Sequence, residues 1–219
     1  MMKNITFLKD IFSDEDVYVI GSGPSLNFID KSFFEGKNLI GVNKIWKYLE
    51  CDYIVMKDLK IIETYQGAAK LIVARKNCGR KCMGNNKKGD YVFDHNENSH
   101  HKLPEGIIGS DKLVATYSTI SSAIHLAAYM GAKNILTVGH DCCELGGKKY
   151  LENYYTKKEK EGLIKNHGKS AKEAHGVDLF EGFSNLTSEL KKALNQVYRC
   201  NVYSVSPFPS FLEGMKYIL

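Results

Sequence analysis

Short, unbroken apolar bursts constrain this chain more than any other feature. Val17–Ile20, Asn38–Val42, Tyr53–Met56, Leu71–Ala74, Ile135–Val138 and Val202–Val205 are rich in Val and Ile and alternate little with polar residues. A strand covered on both faces reads this way, because neither face meets water. Helix-compatible stretches separate the bursts, so the connections read as βαβ crossovers and the sheet as mainly parallel.

The strongest helical pattern is Thr119–Gly131, where Ile120, Ala123, Ile124, Ala127 and Ala128 share one face. Ser118 or Thr119 can cap its start, and Gly131 suits its end. A second helix is predicted from about Asp178 to Val197, with Leu186, Leu190, Leu194 and Val197 as its apolar stripe. Two stretches break the rhythm. Asn85–Lys102 is polar. Glu144–Ala174 holds eight lysines, five glutamates and three tyrosines, so it supplies little core; a mobile lid and a plain solvated excursion both fit it. The predicted fold class is α/β: one Rossmann-like domain over residues 1–219, a mainly parallel sheet with helices on both faces, and a polar lid inserted at about 144–174. The 219 residues suffice for one sizeable core.

Charge narrows the partners. Thirty basic and 25 acidic residues leave a net charge of +5, a mild excess that suits an anionic small ligand or an anionic membrane surface. No nucleic-acid-binding motif is present, and no nucleic acid is expected as partner. No apolar run approaches a membrane span, and the first residues carry no secretory signal. A cytoplasmic location is therefore expected, with contact at the inner face of the membrane left open. Cysteines in such a chain are reduced. Cys78 and Cys82 have usable ligand spacing, but Cys142 and Cys143 are adjacent, which suits a tetrahedral metal poorly. No metal site is expected.

Four places carry candidate chemistry. The first is Gly21-Ser22-Gly23-Pro24-Ser25, after a buried strand. Its glycines allow close backbone approach, Pro24 suits a first helical turn, and free N–H groups there favour a phosphate. Leu26 stands where a dinucleotide fingerprint has its third glycine, which argues against NAD. The second is Asn43, at the end of the second strand, either a ligand contact or the cap of a helix over Lys44–Glu50. The third is His140-Asp141, at the end of the strand after the best helix. Asp141 could bind a sugar hydroxyl, orient a catalytic group or hold Mg²⁺; His140 reads as an acid–base group or a structural one. The fourth is His175, just before the last long helix, where a positive dipole end keeps an imidazole neutral and able to accept a proton. His167 competes with it. His95, His100, His101 and His125 read as surface residues.

These blocks resemble the bacterial sialyltransferases of glycosyltransferase family 42 and a wider Rossmann-like set that includes motility accessory factor and pterin pyrophosphokinase-like proteins. VIGSGPSLNFID, GVNKIWKY, STISSAIHLAAYMGAKNILTVGHDCC and NVYSVSPFPSFLEG carry the resemblance, in that order, over roughly a third of the chain. The resemblance implies nucleotide contacts from Gly21, Ser22, Gly23, Pro24, Ser25, Asn43, Ser118 and Thr119. It implies His175 as general base and Tyr150 on the leaving phosphate, with Cys143 where a second tyrosine is expected and Tyr154 or Tyr155 as its substitute. The implied activity is sugar transfer from a CMP-type nucleotide donor to a glycan acceptor, with no cofactor and with homo-oligomerisation left open. The pyrophosphokinase-like branch implies instead a Mg²⁺-dependent phosphotransferase using ATP, with Asp141 near the metal. A non-catalytic nucleotide-binding protein is the third reading.

Overall fold

The computed structural model describes residues 1–76, 87–96, 103–116, 118–161 and 177–205. Its strands are β1 Lys3–Asn4, β2 Asp16–Ile20, β3 Asn38–Val42, β4 Tyr53–Met56, β5 Lys70–Ala74, β6 Tyr91–His95, β7 Lys112–Leu113, β8 Asn134–Val138 and β9 Asn201–Ser204. They form one sheet in the order β1-β6-β5-β4-β3-β2-β8-β9, with β7 on β6. Every ladder between these strands is parallel. The α/β, Rossmann-like architecture expected from the apolar bursts is the one observed.

Each strand sends alternate side chains into one of two cores. Val17, Val19, Ile40, Val42, Val55, Ile72 and Phe93 join the first, under α2 (Thr119–Tyr129) and α3 (Val177–Tyr198). Ile20, Leu39, Ile54, Met56, Leu71, Val73 and Leu136 join the second. That second face is covered by a short helix, α1 (Leu59–Glu63), by 3₁₀ turns at Lys31–Phe34 and Asn43–Lys47, and by Tyr154. Gly41 lies on this face, and the space a Cβ would need is taken by Ile54, Cys51 and Ile45.

Helix α2 is buried on every side from Ile120 to Tyr129. Its small residues Ser121, Ser122, Ala123, Ala127 and Ala128 let it lie close to the sheet while α3 and the 103–116 segment cover it. His125, expected at the surface, is fully buried; its Nδ1 accepts the Val114 N–H at 3.1 Å. Burial here extends beyond one apolar stripe and encloses Ser121, Ser122 and His125 as well. Ser118 occupies the cap position, but its side chain makes no cap hydrogen bond. On α3, Leu186, Leu190 and Leu194 are buried as expected, whereas Val197 is 50% exposed and lies off the stripe.

Two further expectations change. The polar stretch 85–102 contains β6, which pairs with β5 on one side and with β1 on the other. Val92 and Phe93, both buried, are enough to place it in the sheet. The residue 144–161 part of the expected lid is docked rather than solvated. Tyr154 is buried, and Tyr150, Leu151 and Tyr155 pack on the second core. His100, His101, His167, Cys78 and Cys82 lie outside the described residues.

Leu190 is fully buried between α3 and the sheet. Leu190→Ala is expected to remove about 2–5 kcal/mol of stability, read as a lower urea midpoint with an unchanged m-value.

Candidate functional site

From β2 the sheet grows outward through β3 on one side and through β8 on the other. At such a reversal the loops leaving the two central strands diverge, and a crevice opens at their carboxyl ends. Here it is a cleft of about 130 Å³. Gly21, Ser22, Gly23 and Pro24 line it from the β2 loop, Asn43 from the end of β3, and Ser118, Thr119 and Ile120 from the start of α2. His140, Asp141, Cys142 and Cys143 line it after β8, with Lys149 and Tyr150 from the docked segment and Phe183 from α3.

The two loops are fastened together. Gly21 N–H donates to Val138 O and Gly23 N–H to Gly139 O, both at 2.7 Å. A Cβ on Gly23 would stand 2.5 Å from Asp141 Oδ2 and 2.7 Å from Gly139 O. Gly139 itself has φ +65°. These glycines are therefore required by the approach of one loop to the other, whatever ligand the cleft takes.

That fastening corrects the reading of the glycine turn. The segment after it, Pro24–Phe28, is a five-residue 3₁₀ turn and not an α-helix. Its anion position is already filled: the Ser25 N–H donates to Asp141 Oδ2 at 2.7 Å. A carboxylate of the protein thus sits where a phosphate was expected. Ser25 does not line the cleft; it holds Asp141 from behind. Asp141 is 2% exposed, and its Oδ1 is buried without a hydrogen-bond partner. Pro24 occupies the first helical position as expected.

Asn43 has φ +53°, the left-handed region that Asn tolerates better than most residues. It is the first residue of the Asn43–Lys47 turn, and Val42 holds the cap position, so Asn43 is not the cap. Its Oδ1 is buried without a partner. Across the cleft, the start of α2 directs its dipole at the same space. The buried Lys57 secures that start by donating to Thr116 O and, at 3.0 Å, to Ser118 O. Lys57 was not legible as a site residue in sequence. Neither were Lys149 and Phe183, which reach the crevice only through loop and helix packing.

The docked segment closes the rim. Leu151 N–H donates to Ser22 O at 2.8 Å, and Glu152 N–H to Asn27 Oδ1 at 2.8 Å. Tyr154 meets the Ser22 side chain and accepts the Lys44 N–H at 3.3 Å. Lys44 also pairs with Glu159, whose carboxyl is held down to about 2, first by that bond. Tyr155 stands edge-on to Tyr150 and Tyr154, with ring centres 4.9 and 4.8 Å away. Burial pushes the Tyr150 phenol up to about 12, so it stays protonated at neutral pH. Lys149 pairs with Glu144 at 3.3 Å.

His140 lines the cleft with its ring tied to α3. It is 7% exposed, its Nε2 lies 2.8 Å from Thr187 Oγ1 on α3, and burial holds it down to about 4. His175, the expected base, lies outside the described residues. No cluster of three or more metal-ligating side chains occurs among the described residues, and no described helix is long and apolar enough to cross a membrane. No protein-family model and no curated protein matches the chain.

Burial keeps His125 and His140 neutral, with values of about 3 and about 4. In the unfolded chain both take up protons near pH 6.5. Their depressed folded values mean that stability is complete above pH 6.5 and is lost as the pH falls toward 4. The melting temperature should drop across that window, and His140→Gln should drop less steeply than wild type. Parallel slopes would place the acid sensitivity elsewhere.

Proposed function

We propose that this chain is a glycosyltransferase of the sialyltransferase-like kind, taking a sugar from a nucleotide-activated donor and passing it to a glycan acceptor. One observation carries the reading: the switch-point cleft has acceptors on its floor and donors on its rim. Asp141 Oδ1 and Asn43 Oδ1 are buried acceptors in want of donors, which suits ribose hydroxyls or a base amino group. The α2 N-terminus, Lys149 and the protonated phenol of Tyr150 are donors or positive ends, which suits a phosphate.

The chemistry follows from that division. The bond between the sugar and the donor phosphate breaks as the acceptor hydroxyl attacks. Tyr150 and Lys149 stabilise the charge that grows on the leaving phosphate. His175 takes the proton of the acceptor hydroxyl. The cleft as it stands is smaller than the roughly 300–1,000 Å³ of ordinary ligand sites. A whole donor therefore enters as the 144–161 segment shifts from its present seat. The second reading, a Mg²⁺-dependent phosphotransferase using ATP, draws on the same orphan oxygen of Asp141, which could join a metal shell.

A thermal-shift panel of CMP, CDP, UDP, GDP and ATP, with and without Mg²⁺, tests both. A nucleotide at 100 times its Kd adds about 2.7 kcal/mol of stability. Stabilisation by CMP without Mg²⁺ is the expected result, and stabilisation only by ATP with Mg²⁺ would select the phosphotransferase. With an active donor and acceptor, Tyr150→Phe should lower kcat roughly 10²-fold. His175→Ala should lower it about 10²–10⁴-fold; unchanged turnover in that variant would remove the base assignment.

A further inference from the structure

Lys57 is the first residue after β4, at the same carboxyl edge of the sheet that opens the crevice, and it is 5% exposed. A buried ammonium is costly unless its protons are engaged. Lys57 donates to Thr116 O and, at 3.0 Å, to Ser118 O. Both carbonyls belong to the turn that leads into α2.

Buried polar groups hold the rest of that turn. The Val114 N–H donates to His125 Nδ1 at 3.1 Å, and Val114 O accepts from Ser122 Oγ at 2.6 Å. The Ala115 N–H donates to Asn96 Oδ1 at 2.9 Å. Neutral groups serve at these places. At the last step before the helix the group is a cation.

A neutral amide could tie the same two carbonyls. The ammonium adds positive charge, and adds it at the positive end of the α2 dipole, where a cation is disfavoured. An anion in front of the helix offsets that cost. The space in front is the cleft, lined by Ser118, Thr119 and Ile120. It also holds the unpartnered Oδ1 of Asp141, a side chain 2% exposed, which wants a hydrogen-bond donor. A ligand with an anionic end and a hydroxyl-bearing end fits both demands. The Ser118 side chain makes no cap hydrogen bond, so it does not compete for the first-turn N–H groups.

We propose that Lys57 is the positioning residue for the phosphate of the nucleotide. It fixes the 116–118 turn so that the first-turn N–H groups of α2 face the cleft, and it sets a buried positive charge behind them. Lys57 stands behind the cleft wall and acts through Ser118 and Thr119. The inference rests on the reading that a nucleotide occupies the cleft, and it assigns the phosphate to the α2 side.

Calorimetric titration of the full chain with CMP and with cytidine tests it, because the two differ only in the phosphate. If the thermal-shift panel selects ATP, ATP and adenosine replace them. Lys57→Met should bind CMP about tenfold more weakly than wild type and bind cytidine as wild type does. Lys57→Arg, which keeps the charge and the donors, should bind CMP more tightly than Lys57→Met. If Lys57→Met fails to fold by circular dichroism, Lys57→Gln carries the test, since its amide can reach a carbonyl while the charge is gone. The same selective loss for CMP is expected. Equal losses for CMP and cytidine would make Lys57 a support of the fold alone and overturn the proposal, as would unchanged CMP affinity in a folded variant. Either result leaves the nucleotide reading standing. A wild-type chain that binds no nucleotide of the panel ends both.

Discussion

The backbone seam between the β2 loop and the β8 loop is the constraint on which the crevice depends. Gly21 and Gly23 donate to Val138 and Gly139, and a Cβ at Gly23 would collide with Asp141 and Gly139. Without that seam the two loops would part as the sheet topology dictates, and Asp141 would not reach the Ser25 N–H. With it, one carboxylate oxygen is fixed by the backbone and the other is left buried and unpaired at the cleft floor. A buried polar atom without a partner is costly. The fold can retain one where a ligand supplies the missing bond.

The seam also redistributes electrostatic roles around the site. The glycine turn, which a sequence reading makes an anion cradle, is neutralised from within by Asp141. The N-terminus of α2, a helix of eleven residues anchored beneath by Lys57, faces the same cleft. Acceptors and donors thus occupy opposite sides of one small space.

The tyrosine cluster couples the second core to the crevice. Tyr154 is buried in that core, touches Ser22 and Lys44, and stands edge-on to Tyr155, which in turn meets Tyr150 at the cleft. The 144–161 segment therefore packs on the second core and lines the cleft at once. The Lys44–Glu159 pair is the polar end of the same clasp.

The sequence by itself determined the sheet and its crevice. Unalternating Val and Ile bursts with helices between them require a parallel sheet buried on both faces, and that sheet opens at the ends of β2, β3 and β8. Gly21, Asn43, Thr119 and Asp141 were legible for that reason: each follows or precedes an element whose period is plain. Tertiary structure alone decided how those residues are used. Whether a glycine turn cradles an anion or packs on another loop depends on what lies 116 residues away, and there it is Asp141. The burial of His125, the entry of β6 into the sheet from a polar stretch, and the docking of a lysine-rich segment by three tyrosines are likewise long-range outcomes. They follow from neighbours distant in the chain, and local composition and periodicity carry no record of those.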